Sequence, residues 1–306
     1  MIQTNRQNFH SSFDTRALAE HSPRLLMRFD ILHRTRYSYE TPVKDSFNEL
    51  RLEPVTNEHQ TVESFKLRVD PIRPVQRYED FFKNAVHHFE VTESHSALTI
   101  ESSVRVSTRR LMLPLDATPA PLSRRTEAGR SERCFDYLLD SSYVDLDPST
   151  WRLALDAIEG KTDMWQASVA IMGFVHGYLK YTPLSTHVHS HMREVIEQRA
   201  GVCQDFAHVM LGLCRSVKIP ALYVSGYLAT ETASATHAWI EVFIPDIGWR
   251  GLDPTHNRAT DETYVKIGVG RDYADVAPIR GHYRGTTDRR MEVEVKITPL
   301  DGVSLD

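Results

Sequence analysis

Three features of the sequence predict an α+β fold, with a β-sandwich-like amino-terminal domain followed by a core in which a helix packs on an antiparallel sheet. Between Arg28 and Thr108, short alternating runs are separated by proline-rich breaks. Gly201 then interrupts the chain, and an amphipathic helix begins at or just after Cys203. Finally, an alternating run from His237 leads through a turn signal into a returning strand that ends at Asp253. The chain divides accordingly into a tail (1–24), a β-rich domain (25–110), a linker (111–146) and a core (147–306).

Residues 1–24 lack periodicity and read as a disordered tail. Strand patterns follow over Thr61–Val69, His87–Val91 and Leu98–Val106, where Leu98, Ile100, Val104 and Val106 keep an even spacing. The break Asp70-Pro71-Ile72-Arg73-Pro74 and the even spacing suit a β-sandwich-like domain. Pro114, Pro119 and Pro121 mark the linker. Asp147-Pro148 reads as an N-cap with proline at the first helical position, opening a helix that runs to Glu159 and stops at Gly160. A second helix spans about Asp163–Leu179. Ser190 is placed to cap a short helix through Gln198. In the helix at Cys203, Phe206, Val209, Met210, Leu213 and Val217 form one apolar face at spacings of three and four. Downstream, Ala238, Ile240, Val242 and Ile244 alternate with His237, Trp239, Glu241 and Phe243. Pro245-Asp246-Ile247-Gly248 is a turn signal. His237 and Asp253 share a face only if the connection has an odd number of residues or a bulge, since a one-residue slip inverts the face. Met291, Val293, Val295 and Ile297 outline a final strand.

At 306 residues the chain exceeds one typical domain and can bury a sizeable core. Its 41% hydrophobic and 25% charged content is ordinary for a globular protein. A net charge of −5 without a basic stripe gives no reason to expect nucleic acid. No signal peptide opens the chain and no apolar run reaches membrane length, so no membrane partner is expected and the cytosol is the default. Three cysteines argue against a disulfide framework. Cys203 and Cys214 are separated by ~16 Å along a helix axis and cannot bridge each other. Cys214 reads as core, and Cys134 has no assigned role.

The chemistry centres on Cys203. A thiol at a helix N-terminus feels the positive end of the helix dipole and unpaired N–H groups, which favour the nucleophilic thiolate. A histidine beside it can hold the ion pair and later protonate a leaving amine. A carboxylate fixes the imidazole tautomer and steadies its charge. Cys203, His237 and Asp253 supply those three types, the inventory of an acyl-transfer site.

Gly201-Val202-Cys203-Gln204-Asp205-Phe206-Ala207-His208, His237-Ala238-Trp239 and Asp253-Pro254-Thr255-His256-Asn257 resemble the three core motifs of the bacterial transglutaminase-like superfamily. Ile219 to Tyr227 is similar to the strand after the cysteine helix. Gly270-Arg271-Asp272-Tyr273-Ala274-Asp275-Val276-Ala277-Pro278 resembles a segment of one bacterial branch, and residues 27–54 resemble the β-rich domain preceding the core there. The similarity covers roughly residues 27–300 and makes Met27 a candidate start. It implies a papain-like core with Cys203 as nucleophile, His237 as acid/base and Asp253 as orienting carboxylate. Gln204, Trp239, Arg271 and Asp272 are carried as residues that line or support the site. For Arg271-Asp272 two placements stand open: folded back along the cleft, or an internal salt bridge pinning the carboxy-terminal strand.

Other groups read more plainly. His187, His189 and His191 alternate as zinc ligands on a strand would, but no acidic or thiol partner accompanies them, and no metal or cofactor is expected. Asp145-Leu146-Asp147 lacks the glycine and glutamate of a calcium loop and reads as a capping segment. His208 lies roughly 500° round the helix from Cys203 at ~100° per residue, so it points away from the thiol. Asp205 complements the helix dipole. The function expected is cysteine-dependent acyl transfer on a peptide or protein carboxamide through a thioester, with water or an amine as acceptor. The alternative is a non-catalytic binding or scaffold module that keeps the fold.

Overall fold

The computed structural model describes residues 26–111, 120–183, 185–229, 234–285 and 288–300. The tail read over residues 1–24 lies outside them. The amino-terminal half is one curled antiparallel sheet built on β1 (Leu26–Leu50), a strand of 25 residues. It is joined by β2 (Gln60–Asp70), β3 (Gln76–Glu79), β4 (Ala85–Val91) and β5 (His95–Arg109), in the order β2-β5-β1-β4-β3. Alternate residues of β1 are buried over most of its length, as a sheet with one covered face requires. Its pairing with β5 shifts register between Ser38 and Val43, and the strand passes there from one end of the sheet to the other. Tyr37, Tyr39, Leu50, Phe89, Leu98 and Ile100 fill the curl.

The described part of the linker is not free of the core. It carries a helical turn, α1 (Arg125–Ala128), and Ala120, Ala128 and Val144 are buried in the main hydrophobic cluster. Helices α2 (Pro148–Ala157) and α3 (Met164–Tyr178) follow, capped by Asp147 and Asp163, whose carboxylates accept from the Thr150 and Gln166 amides. Then come β6 (Lys180–Tyr181), α4 (Met192–Gln198) and β7 (Ala200–Gly201). The cap of α4 is His191 rather than Ser190: His191 Nδ1 accepts from Arg193 N, while Ser190 Oγ accepts from His187 N. The central helix α5 (Cys203–Ser216) starts at the cysteine, as its periodicity predicts.

The core sheet runs β11 (Arg258–Ala259), β10 (Gly248–Asp253), β9 (Ser234–Ile244), β8 (Ala221–Ala229), β12 (Tyr264–Gly270). Ala238, Ile240, Val242 and Ile244 pack with the apolar side of α5. Elsewhere Tyr227, Ala229, Val265 and Ile267 pack against Met27, Phe29, Ile31, Val104 and Val106 of the amino-terminal sheet. Helices, core sheet and amino-terminal sheet therefore stack as layers. At this interface the His33 ring contacts the Tyr227 hydroxyl at 3.0 Å, and burial pushes His33 down to about 4.

After a short helix, α6 (Tyr273–Val276), the strands β13 (Ile279–Arg284) and β14 (Arg289–Pro299) both pair with β1. The carboxy-terminal strands placed by sequence in the core thus complete the amino-terminal sheet. Met291 and Val293 of β14 are exposed. No helix among the described residues is long and apolar enough to cross a membrane.

Two side-chain amides cover the open edge of β12. The Gln60 amide donates to the Lys266 carbonyl and accepts from the Lys266 N–H, and Asn84 does the same for Val269. An uncovered strand edge would leave those groups unpaired. Asn84→Ala therefore strands both Val269 groups. At about 1–3 kcal/mol per unsatisfied buried group, the expected loss for the two is about 2–6 kcal/mol, read as a lower denaturant midpoint. An unchanged midpoint would show that water replaces the amide without cost.

Candidate active site

The entry to α5 is shaped by Asp205. Its Oδ2 accepts from Val202 N at 2.7 Å and from Thr186 Oγ1 at 2.6 Å, closing the helix start onto the preceding loop. Burial raises the Asp205 carboxyl above its ordinary value, with the two hydrogen bonds opposing. A Cβ at Gly201 would lie 2.6 Å from Asp205 Cβ, so this approach needs glycine. Asp205 thus does more than complement the helix dipole. The pairing of β6 with β7 fixes the chain just before the thiol. The Cys203 side chain is partly exposed, whereas Cys134 and Cys214 are buried. Burial raises Cys134 and pushes Cys214 up to about 12, so both are held as inert thiols.

The β9–β10 hairpin answers the register question. Ile244 pairs with Gly248 and Ile240 with Leu252, leaving a three-residue connection, an odd number. Continuing that register sets Asp253 across from Trp239 and diagonal to His237, on their face. His237 Nε2 donates to Asp253 Oδ2 at 2.7 Å. The nitrogen left for the thiol is Nδ1, and Cys203 is near enough to the ring to help raise its proton affinity. The three predicted residues meet.

The electrostatics follow from this geometry. Burial works against a charge on His237. Hydrogen bonds and charges from Asp253 and Cys203 outweigh it and raise the imidazole from 6.5 to about 9. Burial likewise works against the Asp253 carboxylate, but His237 and His256 hold it well below the usual carboxylate range. Asp253 is fully buried and still well supplied with donors. Oδ1 accepts from the amides of Thr255 (2.8 Å) and His256 (3.3 Å), and Oδ2 accepts from His237, His256 Nδ1 (2.8 Å) and the Tyr264 hydroxyl (2.8 Å).

A pH dependence of stability results. His237 binds its proton more tightly folded than unfolded, so its contribution is full below about pH 6.5 and is lost as pH rises through about 9. The lowered Asp253 contributes above about pH 4, its unfolded value, and that contribution is lost as pH falls through the depressed native one. The stability gap between wild type and Asp253→Asn is therefore expected to be widest near pH 5–6.5 and to narrow on both sides. Urea unfolding across pH measures it; a gap independent of pH would contradict the ion pair.

The other sequence candidates take supporting places. The Gln204 side-chain amide donates to the Val188 carbonyl at 3.0 Å and ties down the 185–190 loop. Trp239 is buried with Val224, Leu228 and Tyr264 and stacks near His237, with ring centroids 6.2 Å apart. A Cβ at Gly226 would fall 2.4 Å from this indole. Arg271 pairs with Asp275 at 2.9 Å, and its carbonyl accepts from Arg215, which is ~18 Å along α5 from Cys203. Asp272 caps α6 through the Ala274 amide and accepts from the Tyr143 amide. The segment is thus held against α5 through Arg215 and, at the Tyr273 amide, through His208, while Arg271 and Asp275 pair within it.

The histidines outside the triad divide similarly. His208 is fully buried, lies between Tyr143 and Tyr223, and accepts from the Tyr273 amide; burial pushes it down to about 3. His189 contacts the Tyr143 hydroxyl and His191 contacts Asp145, so the 187–191 histidines do not converge. The ligand atoms of His237, Asp253 and His256 do lie within 4.8 Å of one another, close enough for a metal ion, though hydrogen bonds already account for the arrangement. No sequence signal assigns a role to His256 or Tyr264. The first stood within a recognised motif, three residues after Asp253. The second arrives from β12, and no local pattern announces it.

Residues 29–107 match the bacterial transglutaminase-like N-terminal region, and residues 152–254 match the transglutaminase-like superfamily. An uncharacterized protein of Mycobacterium leprae is 34% identical over 285 residues, covering 90% of this chain and all of that one. The chain belongs to the transglutaminase-like superfamily. A superfamily relative, a protein-glutamine gamma-glutamyltransferase of Pseudomonas aeruginosa, is 32% identical over 77 residues, 22% of this chain and 12% of its own. The transglutaminase-like fold is shared with a crystal structure named as a candidate cysteine protease from Cytophaga hutchinsonii. That structure has a TM-score of 0.74 at 23% identity, covering 92% of this chain and 94% of that one.

Proposed function

We propose that this protein is a cysteine-dependent acyl-transfer enzyme acting on a carboxamide or peptide bond of a peptide or protein. The observation that carries the reading is the placement of His237 between a thiol at the head of α5 and a buried, fully hydrogen-bonded carboxylate. The Cys203 thiolate adds to the substrate carbonyl carbon. The oxyanion that forms meets the N–H groups that open α5, those of Cys203 and Gln204, since the Asp205 amide already donates to the Val202 carbonyl. The His237 imidazolium then gives its Nδ1 proton to the departing nitrogen, the C–N bond breaks, and a thioester remains on Cys203. Water or an amine attacks the thioester while His237 takes its proton, and the thiolate leaves. Water makes the reaction an amidase or peptidase reaction; an amine makes it a transglutamination.

Because His237 must be protonated beside the thiolate, the rate is expected to fall on the alkaline side near pH 9. Ammonia release and fragment masses from glutamine- and asparagine-containing peptides, with and without a primary amine, separate the outcomes. Ammonia alone marks the amidase, amine incorporation the transglutaminase, and shortened peptides the peptidase. The reading fails if none of these depends on Cys203.

A further inference from the structure

We propose that His256 is a positioning residue of this site: it grips the triad carboxylate from the solvent side and divides Asp253 Oδ2 between itself and His237. The proposal rests on the acyl-transfer reading and extends it by one residue. His256 contributes two of the five donors on Asp253, its backbone amide on Oδ1 and Nδ1 on Oδ2. Its side chain is 46% exposed, whereas that of Asp253 is 0% exposed, so the imidazole forms the lid between the carboxylate and water. The His256 and His237 rings lie 5.2 Å apart and address one oxygen from two sides, with Tyr264 on the third. A carboxylate oxygen offers about two lone-pair sites, so three donors share them. Each is held less tightly than it would be alone.

The surroundings make His256 the adjustable member of the three. Tyr264 is buried, and its hydroxyl also accepts from Arg258 Nε at 2.9 Å, which locks it. His237 is buried and holds Asp253 on one side with Cys203 near the other. From α3, His176 contacts the carbonyls of Pro254 and Thr255 and steadies the turn that carries His256. The titratable and charged groups around the ring are thus Asp253 and His237 in contact with it, Tyr264 on the same carboxylate oxygen, Arg258 behind Tyr264 and His176 against the turn. Removing His256 leaves Oδ2 to His237 and Tyr264, so His237 holds its proton more tightly, while the carboxylate loses the strut that fixes its orientation. The first effect agrees with the part His256 plays in lowering Asp253.

The test is the pH profile of Cys203 alkylation by iodoacetamide, which needs no natural substrate. Wild type is compared with His256→Ala, His256→Leu and His256→Asn. In His256→Ala the alkaline end of the reactive plateau is expected to move up by about one pH unit, a tenfold change in the proton affinity of the pair. His256→Leu fills the space without a donor and must show the same shift, which covers the case in which the smaller variant does not fold. His256→Asn sets an amide donor near the position of Nδ1 and must stay with wild type. Profiles of the Ala and Leu variants that overlay wild type, or an Asn profile that moves with them, overturn the proposal. A wild-type profile that follows a free thiol with no plateau removes the acyl-transfer reading itself, and this inference with it.

Discussion

Cys203→Ala is expected to lower turnover by at least about a thousandfold while the protein keeps its fold, since triads lose on the order of 10⁴ or more with their nucleophile. The fold survives for two reasons. Cys203 occupies the first position of α5, where alanine is a good helix former. The α5 entry is held by Asp205, Thr186 and Val202 rather than by the thiol. Steady-state rates and the thermal midpoint check the two halves separately. Residual activity above about a thousandth of wild type would reassign the nucleophile, and the buried Cys134 and Cys214 offer no ready substitute.

His237→Ala is expected to cost nearly as much, because nucleophile and base act as a unit. Without the imidazole, the thiolate loses its counter-charge and the leaving nitrogen its proton donor. Asp253→Asn should cost less: the amide fills the same space but can present N–H to His237 and favour the wrong tautomer. It also loses acceptance from His256 and Tyr264, so its cost falls on orientation as well as charge. The order Cys203→Ala ≈ His237→Ala > Asp253→Asn is measured by kcat/KM. An Asp253→Asn variant more damaged than His237→Ala would mean that the carboxylate matters chiefly for folding.

The residues of the candidate triad could be singled out because their signals are local. Gly201 breaks the chain, Phe206, Val209, Met210 and Leu213 set the helical face, and the His237 alternation with its turn defines a hairpin. Even the register condition could be stated beforehand, and the three-residue connection meets it. Non-local pairing was not legible. Nothing in residues 26–50 says that one strand spans a whole sheet. Nothing in the Met291–Ile297 alternation says that its partner lies some 260 residues earlier in the chain. Periodicity reports which face is apolar, not which strand it meets. The same limit hid Tyr264 and His256, whose importance comes from converging on one oxygen. The capping of α4 by His191 was missed because serine is the commoner cap and histidine here competes through its ring nitrogen.

The measurement that tests the central claim most directly is acid-quenched mass spectrometry of the Cys203 peptide during reaction with a library of glutamine- and asparagine-containing peptides. The expected result is an acyl adduct on Cys203 with the mass of the donor minus ammonia or minus an amine fragment. It should persist when quenched at low pH, be released by hydroxylamine, and be missing in His237→Ala. Donor peptides consumed at the wild-type rate with Cys203 unmodified, or an adduct on any other residue, would contradict the thioester mechanism.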